Sequence, residues 1–391
     1  DRVILSGDNT FTSTSIALSA GALNLQSNNA LGAAGTTLTT TITSGAALET
    51  QNNITIPSTK PITANLGGVN NSGAIRNIAD ANTIQANIVL GVTNTRVNSD
   101  SGTLTFPTVS GNTNNLIVGG AGNTTVTGII STTSGTLTKD GAGTLTLQGN
   151  NSYTGLTTIS AGVVNVRHAA GLGTIAAGTS VAAGAALQIQ GIVTVGAETL
   201  TLNGTGVASD GALRNITNNN TYQGNITLNT TSSIGSDANT LTLSGTITGG
   251  ASIGLTKVGA GEVSASNTVT VGGDLTISAG TLTASSNTIT VSGNWSNSGT
   301  FTAGASTVVL NGGATQTLSG TMTTTSAFNN LTVTNAFGTN ASDCERTSFV
   351  ASIDFDAAAT VTTNLVFTTA STRVEFNSGS TYAFTNINWN G

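Results

Sequence analysis

Residues 137–166 read Leu137-Thr-Lys-Asp-Gly-Ala-Gly-Thr-Leu-Thr-Leu-Gln-Gly-Asn-Asn-Ser-Tyr-Thr-Gly-Leu-Thr-Thr-Ile-Ser-Ala-Gly-Val-Val-Asn-Val166. Within it Thr144-Leu-Thr-Leu147 alternates a polar β-branched residue with an apolar one. That period of two is the signature of a strand with one buried face. Gly, Asn and Ser punctuate the strands and supply the positive φ and side-chain turns that a tight corner needs. The same alternation recurs at Thr199-Leu-Thr-Leu202, Thr240-Leu-Thr-Leu243, Thr268-Val-Thr-Val271 and Thr288-Ile-Thr-Val291. No stretch keeps a helical period for more than about two turns.

Working outward, the segment is part of a repeat. Leu147-Gln-Gly-Asn-Asn-Ser-Tyr153 matches Leu5-Ser-Gly-Asp-Asn-Thr-Phe11, and Ser160-Ala-Gly-Val-Val-Asn-Val166 matches Ser19-Ala-Gly-Ala-Leu-Asn-Leu25. Ala183-Gly-Ala-Ala-Leu187 follows Ser44-Gly-Ala-Ala-Leu48, and Gly211-Ala-Leu-Arg-Asn-Ile216 follows Gly73-Ala-Ile-Arg-Asn-Ile78. The order holds while the offset drifts by a few residues, as loop insertions in a regular scaffold would cause. Two long units result, 1–142 and 143–263. They end on Leu137-Thr-Lys-Asp-Gly-Ala-Gly143 and Leu255-Thr-Lys-Val-Gly-Ala-Gly261. A third stretch, 264–391, opens with the same strands and then holds both tryptophans and most of the phenylalanines. Residues 339–349 break the pattern there and read as a loop insertion.

Short strands with tight turns fit an antiparallel sandwich or a parallel β-helix. Length drift favours the β-helix, because a stack absorbs it. Inward Leu, Val and Ile suit a narrow core, and outward Thr and Asn suit side-chain ladders between rungs. The expected fold is all-β, a right-handed parallel β-helix forming an elongated rod. At roughly 20 residues per coil it would make about 19 coils.

Composition narrows the function. Of 391 residues only 7% are charged, against about a quarter in an ordinary globular domain. Lys and Arg total 10 and are scattered, so a nucleic-acid partner is not expected. No run of about 20 apolar residues suggests a membrane helix. The opening Asp1-Arg2-Val3-Ile4-Leu5 reads as a strand rather than a secretion signal. A piece of a longer precursor is expected, with neither end capped.

At this point Leu137–Gly155, continued to Ile159-Ser-Ala-Gly-Val-Val-Asn-Val166, resembles the autotransporter-associated β-strand repeat of bacterial surface and secreted passenger regions. Leu255–Gly261 and Val3–Leu25 are partial copies, so the resemblance spans 1–263; 264–391 is similar only in general to surface β-helices. The resemblance implies a β-helix exposed outside the cell, with no catalytic residues to carry over. Such passengers usually precede a membrane β-barrel, and none is evident in the sequence.

Candidate sites are few. His168 follows a strand and reads as a turn residue; a triad would need geometry that sequence does not give. Cys344 lies between Asp343 and Glu345, whose charge raises a thiol pKa and argues against a nucleophile. Asp354 and Asp356 alternate on one side of a strand; with Asp343 and Glu345 they form the densest acids, where calcium or glycosidase carboxylates are conceivable. Gly141–Gly143 and Gly259–Gly261 lack the features of a phosphate loop, and Lys139 and Lys257 recur with the unit. Asn225-Ile-Thr227 is a glycosylation triplet expected by chance at this composition. The expectation is therefore a non-enzymatic bacterial surface or secreted protein with no catalytic, metal or cofactor residues. It would serve as a structural rod or fibre that associates with itself or with other surface components. The alternatives are an adhesin with its binding surface in the aromatic-richer last third, and a polysaccharide-active β-helix enzyme.

Overall fold

A computed structural model describes residues 1–11, 13–335, 353–368, 374–376 and 379–389. Apart from three single-turn 3-10 segments, the regular structure is β-strand. Every resolved strand register is parallel, in the stacked manner of a β-solenoid. This decides against the antiparallel sandwich. Two compact units are present, Asp1–Thr199 and Leu200–Gly391.

In the first unit a coil is three short strands with a corner between each pair. Leu116–Gly119, Asn123–Val126 and Ile130–Ser131 make one coil, and Leu137–Lys139 and Thr144–Leu147 open the next. Leu116 stacks on Leu137, Thr125 on Thr146, and Ser110 on Ser131. The strands are short because the corner must follow within a few residues for the coil to close. In Thr144–Leu147 the burial alternates as the sequence predicts, threonines out and leucines in.

Coils here are longer than the twenty residues expected, so the chain makes fewer of them. Thr136 bonds Asn115 21 residues back, whereas Ile54 bonds Asn82 28 residues on. Extra residues enter at corners and leave the ladders in register. The same holds where residues 336–352 intervene. Thr363 bonds Asn329 34 residues back, yet Leu331 and Leu365 are partners. The insertion expected at 339–349 itself lies outside the described residues.

The second unit repeats the plan with a wider core. Trp295 stacks between Leu275 and Leu318 and meets Phe301 and Phe328 edge-on, at centroid distances of 4.9 and 5.1 Å. All three rings are buried. These three aromatics fill the core, which the expectation of a purely aliphatic interior missed.

Two inward threonines of the first unit, Thr40 and Thr124, depart from the alternation. Thr124 lies between Leu104 and Leu145 in the inward column, fully buried, and its hydroxyl has no hydrogen-bond partner. A buried, unpaired hydroxyl carries its desolvation penalty with no return. Thr124→Val keeps the shape and removes the orphan. It is expected to stabilise the first unit by about 1 kcal/mol, read as a higher midpoint in urea at unchanged slope. An unchanged or lower midpoint would contradict this assignment.

Candidate functional site

The chain has three lysines, Lys60, Lys139 and Lys257, and all three are buried. Lysine is almost never buried unless paired. Each ammonium here is held by the backbone of a corner. Lys139 Nζ donates to the carbonyls of Asp140 (2.9 Å), Gly141 (2.7 Å) and Ala161 (3.3 Å). Lys257 Nζ donates to Gly259 (2.5 Å), Gly261 (2.5 Å) and Ala279 (2.9 Å). Lys60 Nζ donates to the carbonyls of Ala33 (3.1 Å) and Thr36 (2.7 Å) and to Thr36 Oγ1 (2.9 Å).

The local sequence explains the placement. In Leu137-Thr-Lys139 and Leu255-Thr-Lys257 the alternation puts Leu in, Thr out and Lys in. The four-carbon stem lies in the apolar core and the ammonium reaches the Gly-Ala-Gly corner that follows. It gives a donor to the inward-turned carbonyls of that corner, of which Gly261 also accepts the Thr281 amide. Burial pushes both ammonium groups down to about 8 from the usual 10.5. Burial also lowers Lys60. The recurring Lys-x-Gly-Ala-Gly phrase is thus a tied corner, and glycine at 141 is required because φ there is +75°.

A second repeated device is an asparagine pair. Asn77 Nδ2 donates to the carbonyls of Asp80 and Ser101 and to Ser99 Oγ, while Asn82 Nδ2 donates to Asn77 Oδ1. In the second unit Asn215 Nδ2 donates to Asn218, Ala238 and Ser236 Oγ, and Asn220 Nδ2 to Asn215 Oδ1. This explains why Gly73–Ile78 and Gly211–Ile216 share a sequence.

Several charges are paired with opposite charges on other coils. Glu49 stacks on Arg76, with Arg2 Nε 2.7 Å from Glu49 and Arg76 bonded to Asp100. Arg96 donates to Asp140 from its two terminal guanidinium nitrogens, at 2.8 and 2.7 Å. Arg214 donates to Asp237 from Nε and one terminal nitrogen, both at 2.8 Å. In a parallel stack like residues meet like residues, so a charge is tolerated where a nearby rung opposes it, one coil away for Arg214 and Asp237 and two coils away for Arg96 and Asp140.

The sequence-predicted candidates do not converge. His168 is half-buried, and its Nδ1 accepts the Ala170 amide at 3.1 Å, a local turn bond. Asp354 lies in the strand Ile353–Phe355 beside Thr317, and Asp356 is exposed just after it. Asp343, Cys344 and Glu345 lie outside the described residues. Among the described residues no three of His, Cys, Asp and Glu come together as metal ligands would. Gly141–Gly143 and Gly259–Gly261 surround a lysine ammonium of the chain itself.

One acid escaped the sequence reading. Glu198 is buried and accepts from Thr179 Oγ1 at 2.6 Å; burial pushes its carboxyl up to about 7. Tyr153, also in the first unit, is wholly buried and paired with Thr157 through their hydroxyls at 2.7 Å. A core void below Lys257, lined by Ile234, Ile247, Leu255, Val263 and Val269, has a volume of about 10 Å³. That is at most the space of one water. The Glu198–Thr179 bond joins segments 19 residues apart, while Tyr153 and Thr157 satisfy each other locally.

No curated protein and no solved structure gives a match to the chain. Residues 137–166 match the passenger-associated-transport-repeat family. That span holds the Lys139 corner and the Tyr153–Thr157 pair, and its strands lie inside the parallel stack. The segment is similar to an autotransporter passenger repeat, and the β-solenoid that this resemblance implies is the fold the chain adopts.

Proposed function

We propose that the chain is a non-enzymatic passenger segment, exported to the bacterial surface or beyond, that serves as a stiff structural scaffold. The family match at 137–166 and the solenoid fold support a passenger; such repeats are generally non-catalytic. The observation that carries the structural role is the use of the polar residues. All three lysines, the Asn77–Asn82 and Asn215–Asn220 pairs and the Arg–Asp pairs bind neighbouring coils. Backbone ladders and such ties resist bending in every direction across the stack.

An adhesin is the second reading, and Phe376 and Trp389, about half exposed, are the aromatics available to it. Electron microscopy of the purified chain separates the two. Ordered filaments or uniform stiff particles without cell attachment support the scaffold; saturable attachment to cells or glycans, lost in Trp389→Ala, supports the adhesin. Glycan cleavage abolished by Asp354→Ala would overturn both.

A further inference from the structure

One face of the Leu200–Gly391 unit carries threonine in two parallel columns. The strands Thr246-Ile-Thr248, Thr268-Val-Thr270 and Thr288-Ile-Thr290 follow one another on successive coils, with Asn225-Ile-Thr227 before them and Thr307-Val-Val309 and Asn330-Leu-Thr332 after. Register is held over these triplets, with an irregularity just after Thr248. Thr227 pairs with Thr248, Thr248 with Thr270, and Thr270 with Thr290, before Val309 and Thr332 continue the column. In the companion column Thr288, Thr307 and Asn330 are partners. The central residue of each triplet is buried, so both flanking threonines point outward.

Three features set this face apart. Among the described residues, none of the hydroxyls of Thr227, Thr246, Thr248, Thr268, Thr270, Thr288, Thr290, Thr307 or Thr332 bonds to another group. No charged residue stands in these strands. The one aromatic ring in them, Phe328, is buried in the core, so the face has no platform for stacking a sugar. An adjacent ladder of the same unit supplies the contrast. Thr240-Leu-Thr242, Thr281-Leu-Thr283 and Thr300-Phe-Thr302 have the same spacing, but Glu262 stands among them. Its carboxylate accepts from Thr240 at 2.9 Å and from Thr283 at 2.5 Å.

Strand geometry fixes the lattice of the free hydroxyls. Rungs repeat at about 4.8 Å and threonines two apart on one strand at about 6.6 Å. Sheets stacked in this way carry little twist. A two-dimensional array of identical donors has no discrete ligand to enclose. It fits a partner that is itself a two-dimensional lattice of hydrogen-bonding oxygens. The two repeats approximate the oxygen repeats along the axes of an ice prism face. Each hydroxyl can donate and accept, while each methyl fills the gap between waters. Single water contacts are weak. An array rigidly held by the solenoid makes them simultaneously, so their effects combine without further ordering cost.

We propose that the Thr227–Thr332 face binds ice, ordering a first layer of water in lattice register. This rests on the face alone and stands whether or not the chain is a scaffold. The test is partition into polycrystalline ice grown slowly from dilute solution of the intact chain. The wild type should enter the ice fraction and inhibit its recrystallisation. The double variant Thr248→Lys, Thr290→Lys should stay in the liquid like a bulk solute. Thr242→Lys, on the face with Glu262, should behave as the wild type. Circular dichroism reports the fold of each. Exclusion of the folded wild type from ice, or equal loss in Thr242→Lys, overturns the proposal. Pairing of chains in sedimentation that is lost in the double variant, without ice partition, would assign the face to self-association instead.

Discussion

Lys257→Ala is expected to destabilise the Leu200–Gly391 unit by about 3 kcal/mol or more. The change empties a stem's volume in the core, leaves the carbonyls of Gly259 and Ala279 without the ammonium donor, and leaves Gly261 only the Thr281 amide. Lys257→Met fills most of that volume but restores no bond, so its loss should be smaller, about 1–2 kcal/mol. Both tryptophans lie in this unit, so their fluorescence in a urea titration reports its unfolding. Equal stability of the alanine variant and the wild type would show that the corner is not tied by the ammonium.

The same residue predicts a pH effect with a definite sign. The folded chain holds the Lys257 proton less tightly than the unfolded chain, about 8 against 10.5, because burial disfavours the charge. The unfolded state then binds more protons between those values, and stability rises with pH there. The contribution is fully present above 10.5 and is lost as pH falls through about 8. The difference between wild type and Lys257→Met should therefore shift in favour of the wild type between pH 8 and 10.5. A difference that is flat over this range would contradict the depressed value.

Gly143→Ala is expected to cost the Asp1–Thr199 unit about 3 kcal/mol. A Cβ at Gly143 would lie 1.8 Å from the carbonyl oxygen of Gly122 on the coil below, so two backbones would have to part. Two other glycines calibrate the claim. Gly184 has φ +78° but nothing within 4 Å of an added Cβ, so Gly184→Ala should cost only the about 1–2 kcal/mol of a left-handed alanine. Gly35 has neither constraint, and Gly35→Ala should be neutral or slightly stabilising. Thermal unfolding by circular dichroism ranks the three. A Gly143→Ala variant as stable as Gly35→Ala would contradict the close stacking of corners.

Much of this was legible before any coordinates. The alternation in Thr144–Leu147 gave strand, inside and outside, and the repeat from Gly73–Ile78 to Gly211–Ile216 gave a stack that tolerates length drift. What escaped was contact between coils of unequal length. Glu49 meets Arg76 and Arg96 meets Asp140 at sequence separations that no fixed period supplies. Lys139 and Lys257 were legible in principle. Their step in Leu-Thr-Lys puts them inward, but a buried lysine contradicts ordinary partition, and only the carbonyl-lined corner makes it favourable. Thr124 and Trp295 failed the alternation and the aliphatic-core expectation because composition does not say which column a residue joins. The acids at Asp354 and Asp356 looked like a site because they were dense in sequence; no metal-ligand group forms around them among the described residues.

Successive repeats stack as parallel rungs in register. Spin labels at Thr227→Cys and Thr332→Cys, in a chain where Cys344→Ala removes the native thiol, test it directly. Thr248, Thr270, Thr290 and Val309 lie between them in the column. At about 4.8 Å per rung, pulsed electron–electron double resonance should give one narrow distance near 24 Å. A broad distribution, or a narrow one displaced by two rungs or more, would contradict the stack.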